Sequence, residues 1–240
     1  MKLWTYAEAR DKVQRDLDLQ QETFVTPDEM LGYFNAAIDE AEAEIHTLYE
    51  DYFLSKASID TVADQADYDL PTDIYANKIR GMLYNKNNLI YTIRRMPEMF
   101  KFHEIAWDNY YNGTENTLRY IIYNPTAWEA GKFKLIPTPK ENRTGAIELW
   151  YLRNANRVEA DTDVIDIPEF VQFVMQFVKV RCYEKEGNPN MEFALGVLAQ
   201  QRKQMQDTLS NMIPDSDNLV EQDRSAYADS MALEDYDGCY

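Results

Sequence analysis

Glycine is scarce in this chain, with eight in 240 residues. None of them, at 32, 81, 113, 131, 145, 187, 196 and 238, falls at the GxGxxG or GxxxxGK spacing that lets backbone N–H groups cradle phosphate, which excludes the common nucleotide-binding loops. Histidine is scarcer still. His46 and His103 are too far apart for an HExxH zinc site and too few to supply a Ser-His-Asp arrangement, and both are expected as partly exposed side chains. Two cysteines, Cys182 in an apolar stretch and Cys239 next to last, make neither a disulfide framework nor a metal site and fit a reducing compartment. Long apolar runs are absent: the greasiest, residues 170–180, is short and broken by Gln172, Gln176 and Lys179, and residues 1–10 lack an apolar leader core. No membrane span or secretory route is expected, so the sequons at Asn112 and Asn142 are read as chance. No catalytic residue, cofactor or metal is assigned.

Basic charge is also in short supply. Against 42 acidic residues stand 24 basic ones, for a formal net charge of -18, and a chain of this balance does not bind phosphate backbones through bulk charge. Net charge speaks first to solubility. The excess is concentrated at the two ends, where residues 1–50 carry 12 acidic against 4 basic side chains and residues 214–240 carry 8 against Arg224 alone.

In that last stretch Tyr227, Met231, Leu233, Tyr236 and Tyr240 recur among the acids with no sustained helical period. Ordering each residue costs roughly 1–2 kcal/mol, and each buried anchor returns about 1.5–3 kcal/mol. The segment therefore orders only in pieces, against apolar surface supplied by a partner protein.

The 45 % hydrophobic fraction and the length suffice for a real core, as one large domain or two coupled ones. Thr5 with Glu8 is a capping box that starts a helix over residues 6–19. Thr26, Pro27 and Glu29 start a second, in which Met30, Phe34, Ile38, Ala41, Ile45, Leu48 and Tyr52 trace one apolar stripe, with Asp39, Glu40, Glu42, Glu44 and Glu50 opposite. The period then changes. Residues 59–70 read as a strand, residues 79–84 and 89–93 as a hairpin around the turn 85–88, residues 97–107 as a short helix, and residues 120–123, 132–136 and 146–152 as further strands.

Ile167-Pro168-Glu169 opens a helix with Phe170, Val171, Phe173, Val174, Phe177, Val178 and Cys182 over more than half its circumference, hence central, and Gly187-Asn188-Pro189 ends it. A last helix over residues 190–212 carries Phe193, Val197, Leu198, Met205, Leu209 and Met212 as its inward set. The order predicts an α+β fold: a helical bundle of residues 1–54 and 168–213, a β-rich insertion at 55–167 and an extended acidic arm at 214–240.

Two chemistries remain to be weighed. Carboxylates are plentiful, and Trp107, Tyr110, Tyr111, Trp128 and Trp150 offer a sugar platform, so a carboxylate glycoside hydrolase is one alternative; aromatics in a β-rich region more often pack a core or an interface. Asp161, Asp163 and Asp166 resemble a cation-binding run but lack the glycine and distal glutamate of an EF-hand loop, and are expected to cap the helix at Pro168. A second alternative is an acidic interaction protein that mimics DNA.

The run Val62-Ala63-Asp64-Gln65-Ala66-Asp67-Tyr68-Asp69-Leu70-Pro71-Thr72-Asp73, the Ile136-Pro137-Thr138-Pro139 turn before the strand holding Ile147, Leu149 and Tyr151, and the Asp163 to Pro168 run into a long helix carry a resemblance. In these motifs and in the order of its elements, over most of residues 5–210, the chain resembles the head-to-tail adaptor proteins of tailed bacteriophages, also called head completion or tail accessory proteins. The resemblance implies a non-enzymatic virion protein made in the host cytoplasm. It implies a homo-oligomeric ring, commonly a dodecamer, docked beneath the portal protein, with tail or nozzle proteins on its other face and double-stranded DNA passing through. On that reading Tyr227, Met231, Leu233, Tyr236 and Tyr240 bind the portal, and Asp39, Glu40, Glu42 and Glu44 face the channel, where carboxylates repel phosphates.

Overall fold

The computed structural model describes residues 2–18, 24–96, 118–123 and 131–212. The helix expected at 97–107, the aromatics Trp107, Tyr110, Tyr111 and Trp128, His103, Cys239 and the arm at 214–240 lie outside the described residues.

Both capping boxes form. The Thr5 hydroxyl accepts from the Glu8 N–H at 3.2 Å and opens α1, Tyr6–Asp16. The Thr26 hydroxyl accepts from the Glu29 N–H at 3.3 Å, the Glu29 carboxylate accepts from the Thr26 N–H at 2.9 Å, and Pro27 takes the first position of α2, Pro27–Leu48. The stripe expected to run to Tyr52 stops earlier. Tyr49 leaves helical geometry at φ -141, and a 3-10 turn, Glu50–Phe53, swings Phe53 into the core at 1 % exposure before the first strand begins.

A second 3-10 turn, Pro168–Phe170, leads into α3, Val171–Glu186, which Gly187 ends in the left-handed region at φ +68, where a side chain would be strained. α4, Met191–Met212, follows. α3 touches α1, α2 and α4, the central place its broad apolar surface predicts. α4 differs from expectation at its start. Ala194, Met205 and Leu209 are its buried residues, whereas Phe193 is 78 % exposed. Spacings of 11 and 4 keep those three on one helical face, and Phe193 is rotated off it by about 100°.

Between Phe53 and the second 3-10 turn run eight strands: β1 Leu54–Thr61, β2 Asp67–Asp69, β3 Ile74–Lys86, β4 Leu89–Thr92, β5 Arg94–Arg95, β6 Arg119–Tyr123, β7 Lys132–Ile136 and β8 Arg143–Arg153. They form two four-stranded sheets, ordered β1-β8-β3-β4 and β2-β7-β6-β5. The expected hairpin is β3–β4. Lys86 pairs with Leu89 across Asn87 and Asn88, whose φ of +52 and +63 suit the twist of a two-residue loop. The single strand expected over 59–70 is instead two, β1 and β2, in different sheets. Asp64, at φ +60, and a Gln65 N–H bond to the Val62 carbonyl turn the chain between them.

Two large apolar clusters result among the described residues, beside a small third formed by Met96 and Ile136. Met82, Tyr84, Ile147, Leu149 and Tyr151 of the first sheet meet Tyr68, Tyr120, Phe133 and Leu135 of the second. The helices bury the other around Phe34, Ile38, Ile45, Phe173 and Val174, with Tyr6 set edge-on against Phe34 at 5.2 Å between ring centroids. Residues 155–167, assigned from sequence to the β-rich portion, place Ala155, Val158, Ile165 and Ile167 in the helical cluster.

Phe34 is fully buried, so Phe34→Ala lowers stability by about 3–5 kcal/mol in urea unfolding. The same truncation at exposed Phe193 shifts stability by less than about 0.5 kcal/mol.

Candidate functional site

α2 carries the four described residues singled out by the sequence, Asp39, Glu40, Glu42 and Glu44. They do not form an open acidic face. Glu42, expected among the exposed acids, is 6 % exposed. It lies four residues after Ile38 and three before Ile45, inside the apolar stripe, and that spacing was the signal for its burial. One carboxylate oxygen accepts the Ala155 backbone N–H at 2.6 Å; the other accepts from the Arg157 guanidinium at 2.7 Å. Burial pushes this carboxyl up, but the Arg157 guanidinium and the Ala155 N–H outweigh it and hold the group at about 2.

The three remaining acids are exposed or half-buried, and all have partners. Asp39 shares Arg157 with Glu42. Arg202 of α4 pairs with Glu40 and stands 3.3 Å from Glu44, which also accepts from the Gln206 amide at 2.5 Å. Further along, Glu50 receives both Lys78 and Arg80 of β3.

His46, expected to be partly exposed, is buried at 5 %. Its ring stacks on Tyr75 at the start of β3, with centroids 3.8 Å apart and planes 13° from parallel, and tilts against Phe53 at 5.4 Å. Its Nε2 stands 3.7 Å from the Glu42 carboxylate, outside hydrogen-bond reach. An aromatic wall, not a ligand role, accounts for its position. Neither Tyr75 nor Arg157 was singled out in the sequence, because each is placed by pairing across more than 25 residues.

The aspartates before α3 also depart from expectation: neither the 3-10 turn nor α3 has a side-chain cap. Asp161 binds Arg10 at 2.6 Å, and Asp163 accepts the Glu159 and Ala160 N–H groups at 2.8 Å. Asp166 receives Arg153 in a two-pronged pair and the Asn156 N–H at 2.9 Å. These residues shape the loop instead, and Asp163 and Asp166 border with Asn156, Arg157 and Glu159 an open polar recess of about 580 Å³. Trp150, from the possible sugar platform, is 36 % exposed on β8; its indole N–H donates to Glu148 at 2.7 Å, and Lys56 stands 5.5 Å from its ring.

Among the described residues no three His, Cys, Asp or Glu side chains are grouped to hold a metal ion, and no helix is long and apolar enough to cross a membrane. Burial raises the Cys182 thiol to about 11, so it stays protonated near neutrality. Every described carboxyl displaced from its ordinary range, Glu29, Glu42, Glu50, Glu148 and Asp163, is displaced downward. A glycosidase acid requires the opposite shift.

What the arrangement does is hold one part of the chain to another, by ion pairs and a stacked ring. The sequence profile of the SU10 adaptor protein family matches residues 4–232. The chain belongs to that family. A search of curated proteins finds no match. The family is one of structural phage head-to-tail adaptors and not of enzymes. Membership makes this adaptor a virion component that interacts with portal and tail components.

The Glu42 clamp gives the adaptor an acid-labile joint. A carboxyl held at about 2 when folded and near 4.5 when free contributes stability that is complete above about pH 4.5 and lost as pH falls toward 2, on the order of 3 kcal/mol in all. Glu42→Gln, which cannot carry that charge, is less stable than wild type by about 2–3 kcal/mol near neutrality, and urea titrations at stepped pH show its deficit closing as the medium is acidified.

Proposed function

We propose that this adaptor acts as a homo-oligomeric ring, of twelve copies, beneath the portal vertex, with tail or nozzle proteins on its opposite face and double-stranded DNA passing through its centre. The family match over residues 4–232 carries this reading. The helices α1 to α4 form the ring body, the two sheets face the tail, and residues 214–240 are the arm that reaches the portal through Tyr227, Met231, Leu233, Tyr236 and Tyr240. An arm of eight acids and five apolar anchors beyond α4 suits this task. Identical weak arms on one ring engage together, and a modest affinity per arm multiplies into tight docking.

The channel reading narrows. Glu42 is withdrawn from it, leaving Asp39, Glu40 and Glu44 as candidates. Each sits beside an arginine, but two arginines are shared among four carboxylates, so the wall they would give a passing duplex stays net negative and offers phosphates no attraction. The same pairing counts against a DNA mimic, which needs carboxylates free to stand in for phosphates.

Deletion of residues 214–240 abolishes binding of purified portal while leaving the thermal transition of the remaining chain within about 2 °C of wild type. Portal binding that survives the deletion removes the arm from this account.

A further inference from the structure

The first sheet ends in two open edges. β1 and β4 are its outer strands, and among the described residues no backbone hydrogen bond reaches residues 55–61 or 89–92 from outside the sheet. Natural edges are commonly blunted by charge or proline. β4 has neither: it is Leu89-Ile90-Tyr91-Thr92, with Leu89 and Ile90 exposed at 59 % and 67 %.

Two hydrogen bonds show which groups each edge presents. The Leu54 N–H donates to the Asp51 carbonyl and not to its cross-strand partner Leu152, so alternation turns the N–H and C=O of Lys56 and Ser58 outward. The Ile93 N–H donates to the Met82 carbonyl of β3 at 2.8 Å, so Leu89 and Tyr91 bond inward, Ile90 and Thr92 outward. Side chains alternate with the same period. Those of Lys56, Ser58, Ile90 and Thr92 are exposed, whereas Ala57, Ile59 and Tyr91 pack against the cluster between the sheets and are only partly buried. That cluster is open at both rims.

We propose that β4 of one copy pairs antiparallel with β1 of the next, continuing the first sheet across the boundary. Ile90 faces Ser58 and Thr92 faces Lys56 as hydrogen-bonded pairs, about four backbone bonds in all. On the inner face Leu89 meets Ile59, and Tyr91 meets the small Ala57, so the open rims cover each other. No new ion pair is needed, since Lys56 keeps Glu148.

Strand direction favours a second copy as the occupant. Each of the four strands is antiparallel to its neighbour, so the two edges run in opposite senses, and a rotation about an axis along the strands brings the next β1 antiparallel to β4. The contact is not reciprocal. Within one copy the edges lie three strand spacings apart, about 14 Å, and the second sheet covers the inner face between them, so two copies cannot meet by both edges at once. Repetition of such a one-way contact closes a ring or extends a filament. This inference rests on the ring reading above and names the surface through which neighbouring copies touch.

The test is disulfide trapping in the full chain, carrying Cys239→Ser so that buried Cys182 is the one native thiol left. Ser58→Cys and Ile90→Cys replace exposed side chains, and urea midpoints matching the parent establish that the variants fold. Across the boundary their Cα atoms stand about 5.5 Å apart, within disulfide reach; inside one chain they sit on opposite edges and cannot join. Under mild oxidation at millimolar protein, the double variant gives a ladder of trimers and larger species that reductant collapses. Each single variant stays monomeric, and an equal mixture of the two singles stops at dimers. Asp60→Cys in place of Ser58→Cys, out of register, traps at least about tenfold more slowly.

Dimers from either single variant put like edges together and overturn the pairing, as does a double variant that traps nothing or traps as fast through Asp60→Cys. Portal binding measured on the same samples separates the two readings. A chain that binds portal in many copies but fails these tests remains an adaptor with its subunits joined elsewhere, and one that gives the ladder without binding portal loses only the docking partner.

Discussion

A carboxylate placed inside a protein must be met by donors from outside its own helix, and Glu42 is met from across the chain. The Ala155 N–H and Arg157 reach it from the segment that follows β8. Seven residues earlier on α2, Asn35 exchanges two hydrogen bonds with the Val158 backbone. This one stretch of α2 therefore fixes where the chain goes on leaving the sheets. His46, one turn further along, stacks on Tyr75 and so sets where β3 begins. Removing one member of such a buried set leaves the others charged or unpaired, so the loss of any one is costly.

Arg157 also illustrates how a strongly acidic chain manages its charge. The basic side chains are few, and several serve two acids at once: Arg157 holds Asp39 and Glu42, Arg202 holds Glu40 and Glu44, and Arg80 reaches Glu50 and Asp51. α2 is dense in carboxylates, and two arginines shared among four of them leave that stretch net negative. The excess negative charge is shared between residues 1–50, with 12 acidic against 4 basic side chains, and residues 214–240, with 8 against one.

Signals carried by neighbouring residues were readable from the sequence. Thr5 with Glu8, Thr26 with Pro27 and Glu29, Gly187 after α3 and the asparagines between β3 and β4 each act within a few positions, and the helices and hairpin begin or end where they predict. Tyr52 and Phe193 were misplaced because a periodic stripe says which residues share a face but not where the face ends or which of two adjacent side chains is chosen. Distant pairing was not readable. The split of residues 59–70 between two sheets depends on β8 and β7, more than 60 residues away. The burial of Glu42 depends on Arg157, 115 residues on. The candidate site suffered most, since charge on a helix reads as solvent-facing until its partners are known.

The pairing of Leu54 with Leu152 joins the first residue of β1 to the penultimate residue of β8. The chain thus departs from the helices and returns to them through neighbouring positions on two adjacent strands, a separation of about 5 Å. Everything strung between those positions is a loop in the topological sense, however much structure it contains. The length of this excursion can therefore change while the helical part spans the same small gap.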